Sequence, residues 1–123
     1  MLKIKVLQNE FSVCKVMNFS EVDLNKPYTF ISVTDEEKSL VCETKHVLSN
    51  VTDVDRGWRA FRIEGVLDFS LVGILSKLST LMADNGIGIF AISTFNTDYI
   101  LVKKENLAKV LHLLSINNYQ IIQ

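Results

Sequence analysis

Gly86-Ile87-Gly88-Ile89-Phe90-Ala91-Ile92-Ser93-Thr94-Phe95-Asn96-Thr97-Asp98-Tyr99-Ile100-Leu101-Val102 is the stretch whose reading decides the fold. From Ile87 to Ser93 nearly every side chain is apolar, which predicts a strand covered on both faces. Phe95, Asn96, Thr97 and Asp98 then supply turn residues. Tyr99, Ile100, Leu101 and Val102 read as a second buried strand.

The flanks complete the pattern. Upstream, Trp58-Arg59-Ala60-Phe61-Arg62-Ile63 alternates loosely and stops at Gly65, which predicts a strand. Asp68 or Ser70 is placed to cap a helix by accepting from a free backbone N–H. Leu71, Ile74, Leu75, Leu78, Leu81 and Met82 recur at helical spacing, with Ser76, Lys77, Ser79, Thr80 and Asp84 on the opposite face. Asn85-Gly86 closes this helix, because glycine tolerates the left-handed terminal conformation. Downstream, Leu107, Val110, Leu111 and Leu114 share one face of a second helix. Asn117-Asn118 ends it, and Tyr119-Gln120-Ile121-Ile122 is a last strand. The order β-α-β-β-α-β is the split βαβ unit, an α+β ferredoxin-like fold of four antiparallel strands with two helices on one face.

The first half of the chain is rich in strand and poor in helix. Residues 2–7 and 11–16 read as two strands joined at Asn9-Glu10, and residues 28–33 and 39–43 as another pair. Residues 19–24 form at most a short helix, 45–49 offer another, and 50–57 read as a connector. A weak internal repeat relates the halves. Ile31-Ser32 is followed by Leu40-Val41 at the interval that separates Ile92-Ser93 from Leu101-Val102, so that Glu37 falls where Asp98 falls. The chain is thus read as two tandem halves with antiparallel sheets, residues 1–56 and 57–123.

Composition bounds the function. A chain of 123 residues can bury a core without metal or disulfide. The formal net charge of −1 comes without a basic tract, which disfavours nucleic acid and membrane surfaces as partners. The opening Met-Leu-Lys-Ile-Lys-Val-Leu alternates charge and apolar residues and reads as a strand, not as the apolar core of a signal peptide. No apolar run reaches the length of a membrane span. Cys14 and Cys42 lack CxxC spacing; reduced, buried thiols in a cytoplasmic protein are the simple reading.

Three segments resemble the C-terminal domain of short tandem-ACT proteins, a family related to aspartate kinase regulatory domains and to the CASTOR arginine sensors. They are Gly65-Val66-Leu67-Asp68-Phe69-Ser70-Leu71-Val72-Gly73-Ile74-Leu75, Gly86 through Phe95, and Thr97-Asp98-Tyr99-Ile100-Leu101-Val102. In the first half the resemblance is carried by Asp35-Glu36-Glu37-Lys38-Ser39-Leu40-Val41-Cys42, and residues 1–56 become a degenerate ACT-like half. Val66 departs from the family, where proline is usual. The resemblance implies a small-molecule-binding or partner-binding module that uses no cofactor and has no catalytic machinery. With no enzyme fused, it also implies a separate regulated protein; a homodimer or larger assembly is expected because residues 87–93 and 99–102 are apolar on both faces while two helices cover only one. In the sensor relatives the turn like residues 93–98 and the loop before the helix line the ligand pocket.

The residues themselves leave alternatives open. The loop from Gly65 to Gly73 enters a helix whose first N–H groups lack internal partners, so Asp68, Phe69, Ser70 and Leu71 could present donors to a carboxylate. Asp68 capping the helix would instead occupy those donors. Asp98 could accept from an ammonium or guanidinium, or close its own turn. The hydroxyls of Ser93 and Thr94 suit a ligand or the adjacent backbone. Phe95 could wall a pocket or pack in the core, and Asn96 lies between these groups. His46 and His112 have no carboxylate or cysteine at ligand spacing, and no Walker loop, GxSxG or HExxH occurs.

The sequence thus predicts a non-catalytic amino-acid-binding regulator, with an assembly module that binds nothing small as the alternative. Folding is expected to need neither metal nor disulfide. Thermal midpoints should be unchanged by chelator or reductant, and a midpoint that falls in either would show otherwise.

Overall fold

The computed structural model describes residues 2–64 and 73–123. Asp68, Phe69, Ser70 and Leu71, with the cap expected at Asp68 or Ser70, lie outside the described residues. Along the chain run β1 (Lys3–Val16), β2 (Phe30–Val33), β3 (Lys38–Glu43), β4 (Val51–Ile63), α1 (Ile74–Asp84), β5 (Phe90–Ser93), β6 (Asp98–Lys103), α2 (Leu107–Ile116) and β7 (Gln120–Ile122). One compact unit takes the described residues of Met1–Gln8 and Arg59–Gln123; the other is Asn9–Trp58.

In the first unit β4-α1-β5-β6-α2-β7 reproduces the βαββαβ order. The strands lie in the order β7-β1-β4-β6-β5. The early part of β1 is therefore an added strand. It pairs parallel with β7, Ile4 opposite Ile121, where four antiparallel strands were expected. Ile4 has no exposed surface, which gives this insertion its apolar anchor. Beside it, the Glu64 N–H donates to Lys3 O at 2.8 Å.

The core of this unit joins sheet to helices. Ile4, Phe61, Ile63, Ile100 and Val102 pack with Leu78 and Met82 of α1 and Val110 and Leu114 of α2. The helical spacing read from the sequence thus yields the buried faces. β6 meets the two-sided expectation, since Ile100, Leu101 and Val102 are all fully buried. β5 does not. Ala91 and Ser93 are exposed while Phe90 and Ile92 are half-buried, because β5 is the last strand in the order and, among the described residues, only β6 pairs with it. Asn85 and Gly86 end α1 as expected, with Gly86 at φ 70°, and Asn118 adopts the same left-handed conformation after α2.

In the second unit the order is β2-β3-β1-β4. Two expectations are corrected here. The Asn9-Glu10 turn does not form, because β1 continues through it as one strand to Val16. The connector assigned to residues 50–57 is instead the first part of β4. Residues 19–26 form hydrogen-bonded turns without a helix, and Thr44–His46 is one 3-10 turn. Cys14, Val16, Leu40 and Cys42 form a small core with Phe19, Val22, Val47 and Leu48 packed on it. Both cysteines are free and buried. A hydrogen bond between the thiols lowers Cys14 and, together with burial, raises Cys42.

The internal repeat is real in the structure, with its register corrected by one residue. β2 and β5, β3 and β6, and the 3-10 turns Thr44–His46 and Lys104–Asn106 each start sixty residues apart. Strand pairing agrees, since Ile31 faces Leu40 as Ala91 faces Ile100. Lys38, not Glu37, therefore stands where Asp98 stands.

A pair of substitutions tests the helix stop. At Gly86 an added Cβ meets no atom within 4 Å, so only the left-handed backbone opposes it. Gly86→Ala should cost about 1 kcal/mol in urea unfolding. Gly88→Ala, equally uncrowded and without a positive φ, should be neutral or slightly stabilising.

Candidate functional site

The turn between β5 and β6 is built from short polar side chains that bond one another. Ser93 and Asp98 are opposite one another in the ladder, and Ser93 Oγ donates to Asp98 Oδ1 at 2.6 Å. The Thr94 N–H donates to Thr97 O at 2.8 Å. Thr94 Oγ1 donates to the same oxygen at 3.0 Å and accepts from the Thr97 N–H at 3.3 Å. Thr97 Oγ1 then donates to Ile63 O at 2.7 Å, tying the turn to β4. Thr97 is itself buried, so this bond is made away from water.

The hydroxyls of Ser93 and Thr94, left open between ligand and protein by the sequence, are thus engaged within the turn. What the turn presents outward is Phe95, 83% exposed, and Asn96, also exposed. Asp98 is half-buried at its base. The arrangement can do one simple piece of chemistry. A carboxylate held by a serine hydroxyl and set on a rigid turn is a ready acceptor for a cationic group. Asp68, Phe69, Ser70 and Leu71, expected to share the site, lie outside the described residues, so the described part brings together Thr94, Phe95, Asn96 and Asp98.

Sequence reading passed over Arg62. Its Nη1 donates to the Tyr99 hydroxyl at 3.2 Å, and its guanidinium carbon lies 5.9 Å from the centre of the Tyr99 ring. Glu64 Oε2 is 3.4 Å from Arg62 Nε. The Tyr99 hydrogen bond, then Glu64, raise the pKa of Arg62 above its ordinary value. The alternation of Arg62 with buried Phe61 and Ile63 was the available signal.

In the other unit, Thr34 repeats the same turn. Its N–H donates to Glu37 O at 3.0 Å, and its Oγ1 accepts from the N–H groups of Glu36 and Glu37 at 3.2 and 3.1 Å. His46 also has a partner that the sequence reading missed, Glu43, with Nε2 to Oε2 at 3.4 Å. Glu43 is buried, accepts a hydrogen bond from Asn9 Nδ2 and lies 3.5 Å from Lys45 Nζ. Among the described residues no group of three or more His, Cys, Asp or Glu side chains is placed to hold a metal ion.

In one unit the strands and helices take the ferredoxin-like order, and a threonine-built turn stands in each unit. The ACT domain family matches residues 53–115, and the chain belongs to that family. It is 33% identical over 112 residues to the human protein CASTOR3P, an alignment covering 85% of this chain and 66% of that protein. The chain thus spans just under two thirds of this relative's length. Among solved structures it is similar to Atu0741 from Agrobacterium tumefaciens, with a TM-score of 0.81, 29% identity and coverage of 98% of this chain and 92% of the other. The regulatory subunit of aspartate kinase from Thermus thermophilus, in its ligand-free form, shares the fold at a TM-score of 0.62 and 9% identity, with 92% and 95% covered.

Thr97→Val tests how the turn is held. Removing the hydroxyl leaves Ile63 O without this buried donor, so unfolding stability should fall by about 1–3 kcal/mol. Ser93→Ala, at an exposed position, should cost less. Urea denaturation of both variants decides, and equal small losses would mean that the buried bond contributes little.

Proposed function

We propose that this chain is a non-catalytic regulatory protein that binds an α-amino acid and signals its occupancy to a separate partner protein. Membership of the ACT domain family supports a regulatory, ligand-binding role. The observation that carries the finer reading is Asp98, with one carboxylate oxygen fixed by Ser93 and the residue half-buried on a turn anchored into the sheet. Its other oxygen would accept from the ligand's ammonium or guanidinium group. Phe95 and Asn96 would contact the remainder of the ligand. Backbone donors near Asp68, Phe69, Ser70 and Leu71 would take the carboxylate.

We assign it the cytoplasm and a homodimer or larger assembly. No described helix is long and apolar enough to cross a membrane. The assembly-only alternative shares the family membership and differs in binding nothing small.

Calorimetry and thermal melts against the common amino acids separate the two. A ligand that binds only the folded state should stabilise it by roughly 2.7 kcal/mol at a hundredfold excess over Kd. Asp98→Ala should keep the fold and lose one charge-assisted bond worth about 1.5–3 kcal/mol, a weakening of roughly 10- to 150-fold. A variant that melts lower yet binds equally well would leave Asp98 as a turn residue only. A wild-type protein that binds no amino acid at millimolar concentration would remove the sensor reading in favour of assembly.

A further inference from the structure

The sixty-residue repeat places Leu40 and Cys42 of β3 where Ile100 and Val102 stand in β6. In the C-terminal part Ile100 and Val102 are covered by two helices, α1 and α2. The N-terminal unit has neither. After the 3-10 turn Lys104–Asn106 the chain enters α2 with Leu107 at φ −59°, ψ −46°. After the matching turn Thr44–His46, Val47 is extended at φ −63°, ψ 132°, and β4 begins at Val51. Turns from residues 19–29 and 44–50 cover the strand in place of helices. These turns leave a pocket of about 160 Å³ over Leu40 and Cys42.

That volume is close to the engineered cavity of about 150 Å³ that accommodates a benzene ring. Its floor is apolar and buried, with Leu40 2% and Cys42 3% exposed. Its wall carries both signs of charge, Glu21 and Asp23 against Lys26, with His46 also lining it. The acidic pair has defined neighbours. Both Glu21 oxygens accept from Ser49 Oγ, at 3.2 and 3.1 Å, and Asp23 Oδ1 accepts from the Asn25 N–H at 2.9 Å. His46 is set by Glu43 behind it. Beside Lys26, Tyr28 holds φ 62°, a conformation that a bulky residue rarely adopts. Its ring packs edge-on against buried Phe11 at 6.1 Å, and Thr29 Oγ1 donates to Lys26 O at 2.8 Å. The wall that carries Lys26 is therefore held in shape, and strain of this kind gathers at ligand sites.

An anion would meet two carboxylates here, and a metal ion would meet an ammonium. A molecule with one charge of each sign and a compact apolar body meets neither penalty. We propose that this pocket is a binding site, separate from the Asp98 turn, for a small aliphatic α-amino acid. The ligand's ammonium faces Glu21 and Asp23, its carboxylate faces Lys26, and its side chain lies on Leu40 and Cys42. The pocket lies wholly within the N-terminal unit, so its occupancy does not depend on the turn at Asp98.

The test is amide NMR of the full chain titrated with glycine, L-alanine, L-valine and L-leucine, with calorimetry on three variants. L-valine or L-leucine should shift the amides of Val22, Asp23, Lys26 and Thr29 more than glycine does. Lys26→Met, at an exposed position, should weaken that binding by about tenfold or more. Val22→Phe should fill the space and abolish binding without lowering the melting temperature. In Asp98→Ala the ligand-induced amide shifts of Val22, Asp23, Lys26 and Thr29 should persist, while any shifts at residues 93–98 are lost. Shifts confined to residues 93–98, or none anywhere at millimolar ligand, would overturn the pocket; the first result would leave the Asp98 reading standing and the second would remove both. Wild-type affinity in both Lys26→Met and Val22→Phe would also overturn it. Shifts in the pocket with none at the turn would support it while removing Asp98 from any site.

Discussion

Burial of Ile100 and Val102 beneath Leu78, Met82, Val110 and Leu114 decides where the rest of the C-terminal unit can go. A strand with both faces buried must sit inside a sheet, and β6 has Leu101 on its other face with no exposed surface. Its two edges are then taken by β4 and β5. Because side chains alternate, a slip of one residue in β6 would exchange the helix-facing and opposite sets. The register with β5 is thereby fixed, and with it the position of the turn. Thr94, Thr97 and Asp98 are placed by apolar packing that none of them takes part in.

The turn shows how a polar segment is made rigid at the end of such a sheet. Each hydroxyl closes a bond inside the turn or to β4, so little is left to reorganise when something approaches. Preorganisation of this kind favours recognition because the cost of ordering has already been met in folding. The Arg62–Tyr99–Glu64 cluster adds a fixed ion pair beside the turn's strands.

The N-terminal unit runs the same strand and turn plan with less material. Four residues separate the 3-10 turn from β4, too few for a helix that could cover a strand. Small contacts from Phe19, Val22, Val47 and Leu48 do part of that covering. What they leave uncovered is a cavity with a charged rim. A shorter connection has a different outcome from a substituted side chain, since whole layers of packing are missing and room is left.

Much of this was legible from residues alone. Both helices, their buried faces, the stops at Gly86 and Asn118 and the central strand follow from periodicity, because burial of one face needs a repeating apolar pattern. The repeat was legible too, but identities at Ile31, Ser32, Leu40 and Val41 gave an offset one residue too long. Apolar strands match one another by chance, and the turn hydrogen bonds at Thr34 and Thr94 set the true register. The turn at residues 93–98 could be located, but not which hydroxyls it would spend on itself. Other features depended on contacts between distant segments. Asn9-Glu10 looks like a turn and is strand, because local propensity yields to pairing with a neighbour. The joining of residues 3–8 to strands β4 and β7, the meeting of His46 with Glu43, and the space over Leu40 and Cys42 leave no periodic trace. Sequence by itself determined the two helices, the face each buries and the buried strand β6, since these depend on neighbours a few residues away. Tertiary structure alone decided the added strand, the engaged hydroxyls and the pocket, since each depends on which remote residue arrives opposite and how much volume it fills.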